Sequence, residues 1–119
     1  MEYALGLNAV LDLSFMIPGV GSNMIRNMFK KSGWASDDTV TAIIWTFLLH
    51  GIVRGNLAMN PDDKHAIRLG LASYLIEMIY FGLRIRRGRC AGQDAAPAIV
   101  IPSAMIVWIL ARARGKLLA

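Results

Sequence analysis

The sequence is short of charge, of cysteine and of metal-binding side chains, and each shortage removes a class of function. Charged residues make up 18% of the 119 positions while hydrophobic residues make up 55%. The polar surface a soluble domain of this size needs is therefore missing. One cysteine, Cys90, excludes an internal disulfide and any cysteine-only metal site. The two histidines, His50 and His65, lie about 20 Å apart along a helix and its turn, so they form no ligand set. Asp62-Asp63-Lys64 lacks the glycine and terminal glutamate of a calcium loop. Gly19-Val20-Gly21 lacks the lysine and hydroxyl residue of a phosphate cradle. No serine or cysteine stands beside a base in a readable nucleophilic arrangement, so the chain reads as non-catalytic and without a cofactor, with bound lipid the one expected small molecule. The net charge of +5 does not indicate nucleic acid, because the basic residues sit at the ends of apolar runs rather than in a stripe beside stacking aromatics.

What the sequence has in abundance is long apolar runs, and its mean hydropathy is +0.46. About 20 apolar residues cross the hydrocarbon core as a helix. Four such spans are predicted: Tyr3 to Val20, Thr39 to Met59, Ile67 to Ile85 and Ala95 to Ala113. The expected fold is a single all-α domain, an integral membrane four-helix bundle. The first span is the weakest, since Asn8, Asp12 and Ser14 interrupt it and Pro18-Gly19-Val20-Gly21 closes it early. A cleaved leader is disfavoured by Glu2 in place of a basic start and by the lack of a clean small-x-small site.

The connections carry their own signals. After the first span, Ser22 is placed to cap a short helix whose Met24, Ile25, Met28 and Phe29 fall at one-turn spacing opposite Arg26, Lys30 and Lys31. This predicts an amphipathic interfacial helix with its apolar face at the acyl boundary, its cations on anionic lipid headgroups and Trp34 as an anchor. Ser36-Asp37-Asp38 starts the second span, because short acidic side chains satisfy free N–H groups and oppose the positive end of the helix dipole. Asn60-Pro61-Asp62-Asp63 is so short a link that the second and third spans must be antiparallel neighbours. Arg84, Arg86, Arg87 and Arg89 close the third span in a basic loop that also meets headgroups, and Trp108 is expected near the far interface. Pro97 and Pro102 make the fourth span begin late or bend. Four crossings put both termini on one side (the terminal side) and the loops around Lys30 and Arg87 on the other (the loop side). The excess of cations on the loop side favours its facing the cytosol or its organellar equivalent.

Inside the spans stand ionisable residues. At about 1.5 Å rise per residue, Asp12, His50 and Glu77 fall at one depth, roughly 13 to 15 Å from the terminal side. Arg54 starts one turn nearer that side and can reach back to either carboxylate. Pairing lowers the desolvation cost of each charge and pins the helices in register. The competing arrangement has Arg54 snorkelling to the interface with Glu77 protonated. His50 between carboxylates could also serve a proton relay, but no entry carboxylate, inverted repeat or gating glycine pattern accompanies it. Gly51 and Gly55 form a small-xxx-small pair that lets another helix approach, from this chain or from a partner.

Taken in order, Ile44-Trp45-Thr46, Leu48-Leu49, Val53-Arg54, Ala58, Asn60, Leu71, Leu75, Glu77, Tyr80, Ala96-Pro97, Val100 and Trp108 make the chain resemble the ergosterol biosynthetic scaffold family. That family is the small endoplasmic-reticulum membrane scaffold of sterol C-4 demethylation. Ser73 stands where the family tends to have a histidine, four residues before the matching glutamate. The resemblance implies a non-catalytic four-helix adaptor in the endoplasmic reticulum, binding an oxidase, a decarboxylating dehydrogenase and a ketoreductase. Its partners would be other integral membrane proteins of one assembly. The alternative is a supernumerary subunit of a respiratory, ATP-synthase or photosynthetic complex in the mitochondrial inner or plastid membrane. A third class is a proton-conducting or transport protein.

Overall fold

The computed structural model describes residues 2–30 and 36–117, so Lys31 and Trp34 lie outside the described residues. Among the described residues six helices follow one another: α1 Glu2–Ser14, α2 Val20–Met28, α3 Asp37–Met59, α4 Lys64–Arg86, α5 Gly92–Ala95 and α6 Pro97–Leu117. The described residues contain no strand. The helices α3, α4 and α6 are long and apolar enough to cross a membrane. Between 28% and 39% of each apolar stretch is buried within the protein, which leaves the rest to face lipid. The protein is membrane-embedded and multi-pass.

Local chemistry sets the helix ends. Ser36 caps α3, its hydroxyl accepting from the Thr39 N–H at 3.3 Å, with Asp37 and Asp38 in the first turn. Asp63 caps α4 by accepting from the Ala66 N–H at 2.9 Å. Past the end of α4, Gly88 takes φ +71°, a left-handed conformation that favours glycine, and the Arg89 N–H returns to the Arg84 carbonyl. Proline at the first position of α6 forfeits no intrahelical bond there, whereas Pro102 sits inside the helix and is fully buried.

The first apolar segment departs from expectation. Its helix stops at Ser14, and 13 residues reach only about 20 Å against a hydrocarbon core of about 30 Å. A turn through Pro18 and Gly19 (φ +83°) then starts α2 at Val20, so Gly19 rather than Ser22 occupies the cap. The chain still descends the length of α3. Ala9 sits at Gly55, Leu13 at Gly51 and Phe15 at Phe47, with ring centroids 4.2 Å apart and 7° between planes.

The interior is two apolar cores with a polar layer between them. On the loop side Phe15, Ile25, Phe29, Ile43, Phe47 and Phe81 pack together, with Cys90 and Ala95 beneath them. On the terminal side Leu5, Leu57, Ile67, Tyr74, Met105 and Ile109 do the same. Ile25, Met28 and Phe29 thus turn inward, which corrects the expectation that this face of α2 meets acyl chains; Met24 is 45% exposed. The protein's own aromatic core offers those side chains denser contacts than lipid does. The cations of α2 and of the turn after it also find acidic partners. Arg26 pairs with Asp37 at the start of α3, and Lys30, just past α2, reaches Asp94 of α5 at 3.2 Å. Arg86, Arg87 and Arg89 are exposed.

Cys90 is 1% exposed, and burial pushes its thiol up to about 11, the nearby Arg84 cation opposing that shift only in part. At pH 8 about one molecule in a thousand then carries the thiolate. N-ethylmaleimide is expected to label Cys90 slowly in the folded protein and at the rate of a free thiol after denaturation. Equal rates would mean that the loop-side core is open.

Candidate functional site: a buried arginine network

Arg54 is completely buried, and its planar fork is surrounded. Nη1 donates to Asp12 Oδ2 at 2.7 Å, Nη2 to Glu77 Oε2 at 2.5 Å and Nε to Ser73 Oγ at 3.0 Å. The Tyr74 ring covers one face, 3.9 Å from its centroid to Cζ. Ser73 Oγ lies 2.6 Å from His50 Nδ1, and the Tyr74 hydroxyl donates to Asn8 Oδ1 at 2.6 Å. Three helices meet here. Asp12 and Asn8 come from α1, His50 and Arg54 from α3, and Ser73, Tyr74 and Glu77 from α4.

The four residues expected in one polar layer are brought together, and Arg54 takes both carboxylates rather than choosing one. The snorkelling alternative is overturned, because no part of Arg54 reaches an interface. The logic is electrostatic: a charge at this depth is tolerated only when opposite charge and hydrogen bonds replace its water. Ser73, Tyr74 and Asn8 escaped the sequence reading as network members. A helical repeat was their available signal, since Ser73 precedes Glu77 by four residues and therefore shares its face.

Gly51 and Gly55 receive α1. A Cβ at Gly51 would lie 2.9 Å from the Leu13 side chain and 3.3 Å from the Ala9 carbonyl, whereas one at Gly55 would lie 3.8 Å from Ala9 Cβ. The close approach places Asp12 against Arg54. Gly55→Ala is therefore expected to be tolerated within about 0.5 kcal/mol, and Gly51→Ala to cost about 1–3 kcal/mol by forcing Leu13 aside. Thermal unfolding in detergent checks the pair; equal losses would contradict this packing.

Two cavities adjoin the network, both on its loop side. One of about 310 Å³ lies between α3 and α4, reaching from Thr39 and Arg84 to His50 and Glu77. The other, about 140 Å³, lies among α1, α2 and α6, with Asp12 and Glu77 in its wall. Among the described residues no group of three or more histidine, cysteine or acidic side chains could hold a metal ion. Trp108 is half-buried on the terminal-side core, with the Arg112 guanidinium 5.4 Å from its ring. No protein-family model, curated protein or solved structure matches the chain.

Proposed function

We propose that this protein is a non-catalytic multi-pass membrane adaptor that holds a membrane enzyme assembly together, as the resemblance to the sterol C-4 demethylation scaffold implies. The supporting observation is where Arg54 spends its charge. All three of its nitrogens bond to side chains of the same chain, so the layer registers α1, α3 and α4 against one another. The apolar outer faces, with Trp45, Leu49 and Ile52 on α3 and Val100 and Val107 on α6, are left for neighbouring membrane proteins. In this reading α1, the turn and α2 together serve as a broken fourth crossing of a four-helix bundle. The basic loop of Arg86, Arg87 and Arg89 meets anionic headgroups.

The location in this reading is the endoplasmic reticulum. A supernumerary subunit of an organellar energy complex is the second possibility, and it would use the same outer faces. Proton conduction is disfavoured, because the cavities flank the carboxylates on the loop side while Leu5, Leu57, Ile67 and Tyr74 pack against the layer on the other.

Native purification followed by mass spectrometry of co-purifying chains tests the proposal. Sterol-modifying enzymes support the scaffold, energy-complex subunits support the second reading, and a monomer without partners refutes both. Glu77→Gln is expected to weaken assembly more than it alters any turnover. A conductor would show the opposite order in a proton-flux assay.

A further inference from the structure

We propose that the cavity between α3 and α4 binds an uncharged lipid alcohol, whose hydroxyl is held between His50 and Glu77 at membrane depth. This inference does not rest on the adaptor reading. It begins from two polar atoms that the network leaves over. His50 is 7% exposed and lines the cavity, and its Nε2 has no hydrogen-bond partner among the described residues. Glu77, also 7% exposed, gives Oε2 to Arg54 and keeps Oε1 without a hydrogen bond among the described residues.

One tautomer of the network gives the two atoms complementary roles. Arg54 Nε can only donate, so Ser73 Oγ accepts from it and is free to donate its own hydrogen to His50 Nδ1. In the tautomer this proposal takes, Ser73 makes that donation and the ring hydrogen sits on Nε2. The cavity's inner end therefore offers one donor and one acceptor, and a hydroxyl group satisfies both by accepting from Nε2–H and donating to the carboxylate. A plain acyl chain would leave both atoms unpaired away from water, an unfavourable state for buried polar groups.

The walls select the rest of the ligand. Ala42, Ile43, Phe47, Ile76 and Phe81 are apolar and suit a hydrocarbon body. The cavity runs eleven residues along α3 from Thr39 to His50, about 16 Å below the loop-side end. A lipid with a charged headgroup is anchored at the interface and cannot bring that group so deep. A volume of about 310 Å³ takes roughly ten water-sized groups, enough for the first part of one alkyl chain.

The test uses the full chain in phosphatidylcholine vesicles with a photoreactive hexadecanol carrying a diazirine near mid-chain. Saturable labelling is expected within residues 39–50 and 76–84. Unlabelled hexadecanol should displace it at about a tenfold lower concentration than hexadecane or palmitate. His50→Phe is expected to weaken labelling about fivefold to tenfold, as loss of one buried hydrogen bond does. His50→Gln, which keeps an N–H donor, should restore part of it. Ala42→Phe should block labelling without touching the polar layer, which keeps the test decisive if a His50 variant fails to fold. Equal competition by hexadecane, labelling spread evenly over lipid-facing residues such as Val107, or undiminished labelling of a folded His50→Phe would each overturn the proposal. A cavity that takes only water would give no saturable labelling, and that result also overturns it.

Discussion

Arg54→Leu is expected to destabilise the folded chain by about 3–5 kcal/mol, the largest effect of any single substitution considered for this protein. The loss comes from what remains rather than from what is removed. Without the guanidinium, Asp12 and Glu77 are left as two carboxylates in a buried layer with no cation between them, and Ser73 loses one of its two partners. Arg54→Lys is not conservative here, because one ammonium cannot present three donors in a plane to Asp12, Glu77 and Ser73 or stack flat on Tyr74. Release of Cys90 to N-ethylmaleimide during thermal unfolding is a direct readout, since that thiol is buried in the folded state.

A companion variant separates structure from function. Replacing the layer as a set, with Arg54→Met, Asp12→Leu and Glu77→Leu together, removes the three charges of the layer. Most of the lost stability is expected to return, because apolar replacements of similar volume match or exceed a buried ion network in net free energy. If the layer only registers helices, the triple variant assembles with its partners as the native chain does. A triple variant that folds and yet fails to assemble would show that the charges themselves recognise a partner. One no more stable than Arg54→Leu would refute the electrostatic account.

Gly21→Ala is expected to have the second-largest effect. A Cβ there would run into the Phe15 carbonyl oxygen and lie 2.8 Å from Phe15 Cα and carbonyl carbon, so it meets backbone rather than a flexible side chain. Something must move, and the turn between α1 and α2 is what can. A cost of about 3 kcal/mol or more follows, at the upper end of overpacking penalties. Phe15 would leave its stack on Phe47, so loss of that ring contact in nuclear magnetic resonance spectra should accompany the fall in melting temperature. Gly6→Ala is the control: nothing lies within 4 Å of its Cβ, and helix propensity predicts a gain of up to about 1 kcal/mol. Similar losses at both glycines would mean that the α1–α2 turn is not packed as described.

The spans and their ends are largely legible in the sequence. Thr39–Met59 and Ile67–Ile85 were expected where α3 and α4 run from Asp37 to Met59 and from Lys64 to Arg86, because apolar length and acidic caps are local signals. The short Asn60–Asp63 link made these two helices neighbours, since four residues reach nowhere else. The common depth of Asp12, His50 and Glu77 followed from the fixed rise of a helix, which works as a ruler along any span.

Other features depended on which surfaces meet. Ile25 and Met28 looked equally suited to lipid or protein, and the aromatic core of Phe15, Phe47 and Phe81 decided the matter by closer packing. Gly51 and Gly55 signalled a close helix without naming it, and α1 took the place because Ala9 and Leu13 fit there. The inward roles of Ser73 and Tyr74 depended on where the Arg54 fork came to rest.

The sequence by itself determined that this chain is helical, apolar enough to enter a membrane, and obliged to gather its few buried charges at one level. Those outcomes follow from local periodicity, span length and the desolvation cost of isolated charge. Tertiary structure alone decided that Arg54 is shared by Asp12, Glu77 and Ser73, that the first apolar segment is divided into α1 and α2, and that a cavity opens beside His50. Each of these is set by the shape of facing side chains, which no single stretch of sequence contains.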